Sequence, residues 1–153
     1  MTAFFFDTSA LVKLYVAETG SSWVRNIADA TLGNEIAISR IAAAEAVAAF
    51  ARRNRDGTLT ASETSTAIAD FKNDYAKGFR VFDVNASLID RAMQLAEAHS
   101  IRGYDAVHLA AAREFVDACA DAGVGCVLVS ADVDLNAAAT AEGLTVEDPN
   151  AHP

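Results

Sequence analysis

The chain has 153 residues, 52% of them hydrophobic and only two of them proline, which is the size and apolar content of one compact domain with a sizeable core. A formal net charge of −9 argues at first sight against a nucleic-acid ligand, because unneutralised carboxylates repel phosphate. No apolar window is long enough to span a bilayer, so no membrane role is expected.

The N-terminus, Met1 to Asp7, lacks a basic leader and meets a charge after a short apolar run, so it does not read as a secretory signal. Cys119 and Cys126 have neither CxxC spacing nor a nearby histidine cluster, and read as reduced core thiols of a cytoplasmic protein. Short apolar runs with aromatic or β-branched content predict strands at Ala3 to Phe6, Glu35 to Ile38, Arg80 to Val84, Cys126 to Ser130 and Leu144 to Val146. Between them, amphipathic or alanine-rich stretches predict helices at Ala10 to Ala17, Ser22 to Ala30, Arg40 to Asn54, Ala61 to Lys77, Ala86 to His99, Tyr104 to Ala122 and Val133 to Glu142.

Local punctuation agrees with these ends. Thr60 and Glu63 form a capping box, Asn85 is an N-cap, and Gly57, Gly123 and Gly143 fall where helices stop. Strands joined through helices imply βαβ units: an α/β fold in three layers, α/β/α, with a mainly parallel central sheet of about five strands. Residues 1–147 make one domain, and 148–153, poor in hydrophobes, read as a short C-terminal tail. Sites in such folds lie outside the carboxyl ends of the strands, where the strand order reverses.

Four acids fall at or near that edge. Asp7 follows the all-apolar run Phe4-Phe5-Phe6, which has the character of a central strand; alone, it could equally be a turn carboxylate capping the next helix. Glu45 is the only polar residue between Ile41 and Ala51, so no rotation of its helix exposes it without exposing alanines. Such a carboxylate needs a cation or donors; an ion pair with Arg40 or Arg52 is the structural alternative to a metal. Asp105 lies in the first turn of an apolar helix, where ordinary stabilisation by the helix dipole also accounts for it. Asp132 follows the run Cys126 to Ser130, with Asp134 two residues on. Each acid has a plain explanation, but four at one sheet edge suit a hard divalent ion, which would also invert the local field and attract a phosphodiester.

The segments Phe6 to Leu11, the Glu45 helix, Tyr104 to Ala110 and Val129 to Asp132 together resemble the four signature segments of PIN domains, in the VapC-type toxin branch. The likeness spans Phe4 to Asp132. Any one segment is a weak signal, whereas the ordered set is strong. The resemblance implies a PIN-like fold and a Mg2+- or Mn2+-dependent endoribonuclease. Its metal-binding and catalytic residues would be Asp7, Glu45, Asp105 and Asp132, with Ser9 and Ser130 as nearby hydroxyls. Ser130 stands where many relatives have threonine. The resemblance also implies an RNA substrate, a cognate antitoxin partner and a homodimer.

Other readings make definite demands. A dehalogenase-like enzyme wants a second aspartate two residues after the first, where this chain has Ser9, and a receiver-like domain wants a lysine that the last strands lack. A non-catalytic PIN-like binding module would act through a partner surface alone. His108, three residues after Asp105, reads as a packing or hydrogen-bonding residue, and His99 and His152 as solvent-facing. Arg52, seven residues beyond Glu45 on nearly the same face, joins Arg40, Lys72, Lys77 and Arg102 as a candidate positive rim. Crowding four carboxylates should raise at least one pKa, with Glu45 the expected source of strain in the metal-free fold.

Overall fold

The computed structural model describes residues 1–153. Five strands, β1 (Ala3–Phe6), β2 (Glu35–Ser39), β3 (Arg80–Phe82), β4 (Cys126–Val129) and β5 (Val146–Glu147), form one sheet in the order β3-β2-β1-β4-β5. Every pairing is parallel, with Phe6 opposite Ile38 on one side and Val129 on the other. The helices are α1 (Thr8–Val12), α2 (Ser21–Ile27), α3 (Ile41–Arg55), α4 (Ala61–Lys77), α5 (Ala86–His99), α6 (Gly103–Asp121) and α7 (Val133–Ala141).

Side chains alternate across a strand, so β1 feeds two cores at once. Phe5, Ala37 and Leu128 face a layer of α5, α6 and α7, where Leu88, Leu109, Phe115 and Leu135 are buried. Phe4, Phe6, Ile38 and Val129 face α1 to α4, packing with Leu11, Phe50 and Phe71. This double burial is why Phe4-Phe5-Phe6 is apolar on both faces, and it makes β1 the central strand. The chain leaves β1 toward β2 and later returns to its other side as β4, so the strand order reverses at the crevice between β1 and β4.

The expected capping box is formed: Glu63 N–H donates to Thr60 Oγ1 at 3.1 Å and Thr60 N–H to Glu63 Oε2 at 2.8 Å. Asn85 accepts from Leu88 N–H at 2.9 Å, as its N-cap role requires. The first helix departs from expectation, starting at Thr8 because Asp7 caps it and ending by Lys13, whose backbone N–H bonds back to Ala10. Lys13 then turns inward, giving its ammonium to Glu18 Oε1 (3.1 Å), the Thr19 carbonyl (2.8 Å) and Asn150 Oδ1 (3.0 Å). An apolar pattern alone gives no sign that a lysine would be buried there.

That lysine also explains why residues 148–153 lie against the body of the fold despite their few hydrophobes. Asn150 is anchored on Lys13, Pro149–Ala151 form a 3-10 turn, and the His152 ring stacks on Trp23 at 4.2 Å with only 5° between planes. Gly20 makes room for this turn. Its φ of +83° suits glycine, and a Cβ there would collide with the Pro149 carbonyl. His152 is therefore not simply solvent-facing, and neither is His99, which bonds Glu142 at 2.6 Å.

Cys119 and Cys126 are free, and burial pushes the Cys126 thiol up to about 12, so it stays a thiol at neutral pH.

Candidate metal centre at the carboxyl edge of the sheet

Asp7 stands in the crevice between β1 and β4. Its backbone N–H donates to the Val129 carbonyl (3.2 Å), while Oδ1 accepts from Ser9 Oγ (2.6 Å) and Ala10 N–H (3.0 Å) and Oδ2 from Ser130 Oγ (2.8 Å). The residue is only 4% exposed, and no lysine or arginine pairs with it. Burial raises its pKa, and this outweighs the lowering by the His108 charge and by the Ser9, Ala10 and Ser130 hydrogen bonds. Ser9 and Ser130 also fix the adjoining backbone: Ser9 Oγ accepts from Ala131 N–H (2.8 Å) and Ser130 Oγ from Asp132 N–H (3.1 Å).

Glu45 lies beside Ala44 and Ala48, both exposed, so α3 does present alanines to solvent to bring this carboxylate to the surface of the crevice. The structural alternative was a partner in Arg40 or Arg52. Instead, Glu45 Oε1 bonds His108 Nε2 (2.6 Å) and the Thr8 hydroxyl (2.9 Å), while Arg40 pairs with Asp83. The expectation that Glu45 carries the strain is corrected. Burial raises its pKa, but the hydrogen bond and charge of His108, the Thr8 bond and the charge of Arg102 outweigh burial and leave it below the ordinary value. Asp7 is the acid whose pKa rises, and it rises through burial rather than through the other carboxylates.

Asp105 and Asp132 share one cation. Arg102 Nε donates to Asp105 Oδ2 (2.8 Å) and Nη2 to Asp132 Oδ2 (2.6 Å), joining the start of α6 to the start of α7. Asp132 Oδ1 caps α7 by accepting from Leu135 N–H at 2.9 Å. Arg102 is itself 75% exposed, and its pKa is raised first by its hydrogen bond to Asp105, then by the charges of Asp105 and Asp132. Asp134 is exposed and makes no side-chain contact with the other acids.

The four acids thus share one sheet edge through common partners, Asp7 and Glu45 through the field of His108, and Glu45, Asp105 and Asp132 through Arg102. No three of them close round a common centre, because each carboxylate is turned to protein donors. The donor set nevertheless fits a hard divalent cation. Asp7 is a buried carboxyl with no lysine or arginine partner, Glu45 Oε2 and Asp105 Oδ1 accept no protein hydrogen bond, and every candidate ligand atom is oxygen. Arg102 shows that a cation can sit between Asp105 and Asp132.

Two residues gained importance beyond their sequence reading. The i,i+3 spacing of Arg102 and Asp105 gives a signal for half of the Arg102 bridge. His108 bonds Glu45 as well as packing in the core, and its Nδ1 is buried without a partner.

An α/β/α fold with an all-parallel sheet and an acidic cluster at its switch point defines the class of protein, and comparison narrows it. Residues 4–141 match the PIN domain family. Ribonuclease VapC45 of Mycobacterium tuberculosis is 42% identical over 115 residues, 73% of this chain and 76% of that protein. The solved structure of PAE2754 from Pyrobaculum aerophilum aligns with a TM-score of 0.63 at 20% identity, covering 98% of this chain and 91% of its own. A toxin-antitoxin complex from Klebsiella pneumoniae aligns at 0.59 and 17% identity, covering 95% and 96%. The chain belongs to the PIN domain family, and the receiver-like and dehalogenase-like readings fall away.

Proposed function

We propose that the chain is an endoribonuclease of the VapC type, the toxin of a type II toxin-antitoxin pair, dependent on Mg2+ or Mn2+ held by Asp7, Glu45, Asp105 and Asp132. The observation that carries this reading is the buried Asp7 carboxyl at the β1/β4 crevice, held by two hydroxyls and one amide and paired with no lysine or arginine. The ribonuclease name of the 42%-identical relative supplies the substrate class.

A bound divalent cation supplies the charge that lowers the pKa of water and offsets negative charge building on the phosphodiester. The chain's own residues do the positioning. Ser9 and Ser130 lock both oxygens of Asp7, and Thr8 and His108 fix Oε1 of Glu45 while leaving Oε2 free. Arg102 neutralises Asp105 and Asp132, and its charge would oppose a second cation held by the same two residues. Arg102→Gln is therefore expected to bind Mn2+ about three- to tenfold more tightly than wild type in a calorimetric titration. Weaker binding would mean that Arg102 instead orients the ligands.

The acidic cluster also suits the basic segment of an antitoxin, and the Klebsiella neighbour is a toxin-antitoxin complex. An exposed apolar surface of Val84, Ile89, Met93 and Tyr104, around a cavity of about 450 Å3, supports a homodimer. No helix is long and apolar enough to cross a membrane.

Attack by water with the 3′-oxygen as the leaving group, as the likeness to PIN domains implies, predicts RNA products with 5′-phosphate and 3′-hydroxyl ends. End-labelling of fragments from the purified protein tests this; 2′,3′-cyclic phosphate ends would show that the RNA's own 2′-hydroxyl is the nucleophile and refute the reading.

A further inference from the structure

Beside the acids lies a polar cavity of about 260 Å3 between α1 and α3, whose polar lining is Thr8, Ser9, Lys13, Glu18, Arg52 and Arg53. We propose that it binds a backbone phosphate of the RNA strand, about one or two nucleotides from the bond that is cut. This rests on the ribonuclease reading of the acidic cluster and extends it to how the strand is held.

Charge is the first argument. In a chain of net charge −9, this is the only one of the five principal cavities with a positive lining, three cations against one carboxylate. Glu18 is already divided between Lys13 (3.1 Å) and Arg53 (2.7 Å), and Arg52 has no acidic partner at all. Arg52 therefore offers the cavity a guanidinium with no competing carboxylate, and arginine donors match phosphate in geometry.

Continuity is the second argument. Thr8 and Ser9 line this cavity and also hold Glu45 and Asp7, so the two sites share a wall. On α3, Glu45, Ala49 and Arg52 follow one face at spacings of four and three, which sets Arg52 roughly 10 Å along the axis from Glu45. An RNA strand with its scissile phosphate at the acids can therefore lay a neighbouring phosphate on Arg52. Acids that need a metal before they attract a polyanion gain from a fixed cation beside them, because the strand is then held at two points.

Arg52 is exposed and unpaired, so Arg52→Gln tests the proposal without disturbing the fold, which matching melting curves verify. With Mg2+ and an RNA extending several nucleotides on both sides of the cut, KM should rise about three- to tenfold with a smaller change in kcat. The slope of log(kcat/KM) against log[salt] should become shallower by about 0.7, the value for one phosphate contact on a single strand. On a dinucleotide too short to reach the cavity, the defect should shrink toward nothing. An unchanged KM on the long RNA, or an equal loss on the dinucleotide, overturns the subsite while leaving the ribonuclease reading intact. A wild-type protein that cuts no RNA overturns both.

Discussion

Asp7→Asn is expected to lose at least about 100-fold in RNA cleavage, because it removes the buried ligand charge at the centre of the site. The same variant should melt in EDTA at or above the wild-type temperature near neutral pH. Asparagine is as good an N-cap as aspartate, its Oδ1 can keep the bonds from Ser9 and Ala10, and its amide can donate to Ser130 Oγ. The pH dependence follows from the sign of the shift. The Asp7 pKa is raised by burial above its ordinary 3.8, so its contribution to stability is complete below that value and is lost as pH rises through the folded-state pKa. Glu45, lowered from 4.5, runs the other way; its contribution is present above that value and is lost as pH falls through the folded pKa. The advantage of Asp7→Asn over wild type in EDTA should therefore be larger at about pH 7 than at about pH 4 in paired urea melts. A variant that is inactive because it is unfolded would show the opposite: a large loss of stability at both values.

His108→Ala should cost about 3 kcal/mol of stability, since it empties a core position on α6 and strips Glu45 of a hydrogen-bonding partner. Turnover should fall about ten- to a hundredfold, less than for Asp7→Asn, because His108 holds Glu45 in place rather than touching the substrate. The discriminating readout is the pH profile of kcat. It should keep its shape in the variant if His108 only positions Glu45, whereas loss of one limb would make His108 the general base.

The architecture was legible because hydrophobic period and turn chemistry are local. Phe4-Phe5-Phe6 identifies a strand buried on both faces, and the Thr60/Glu63 box and Asn85 define where α4 and α5 begin. The acids were legible as positions, since each falls just after a strand or near the start of a helix. Their partners were not, because pairing is a property of tertiary approach. Glu45 had arginines nearby in sequence, yet its bond goes to His108, 63 residues away, and the Arg102 contact to Asp132 spans 30. Nor could the pattern show which acid bears the desolvation: Glu45 is surrounded by alanines, but it sits where α3 opens to solvent, whereas Asp7 lies at the end of the central strand. Lys13 was missed for a related reason. Burial of its ammonium depends on the Thr19 carbonyl and on Asn150, at the far end of the chain.

Binding of a divalent ion should offset the cost of ionising the buried Asp7, so activity and stability ought to respond to the same titration. The most direct test takes EDTA-stripped wild-type protein and adds Mn2+ stepwise, following cleavage of a single-stranded RNA and the melting temperature in parallel. Cleavage should be absent in EDTA and return with added Mn2+ as the melting temperature rises, with both responses missing in Asp7→Asn. Undiminished cleavage in EDTA would contradict the account.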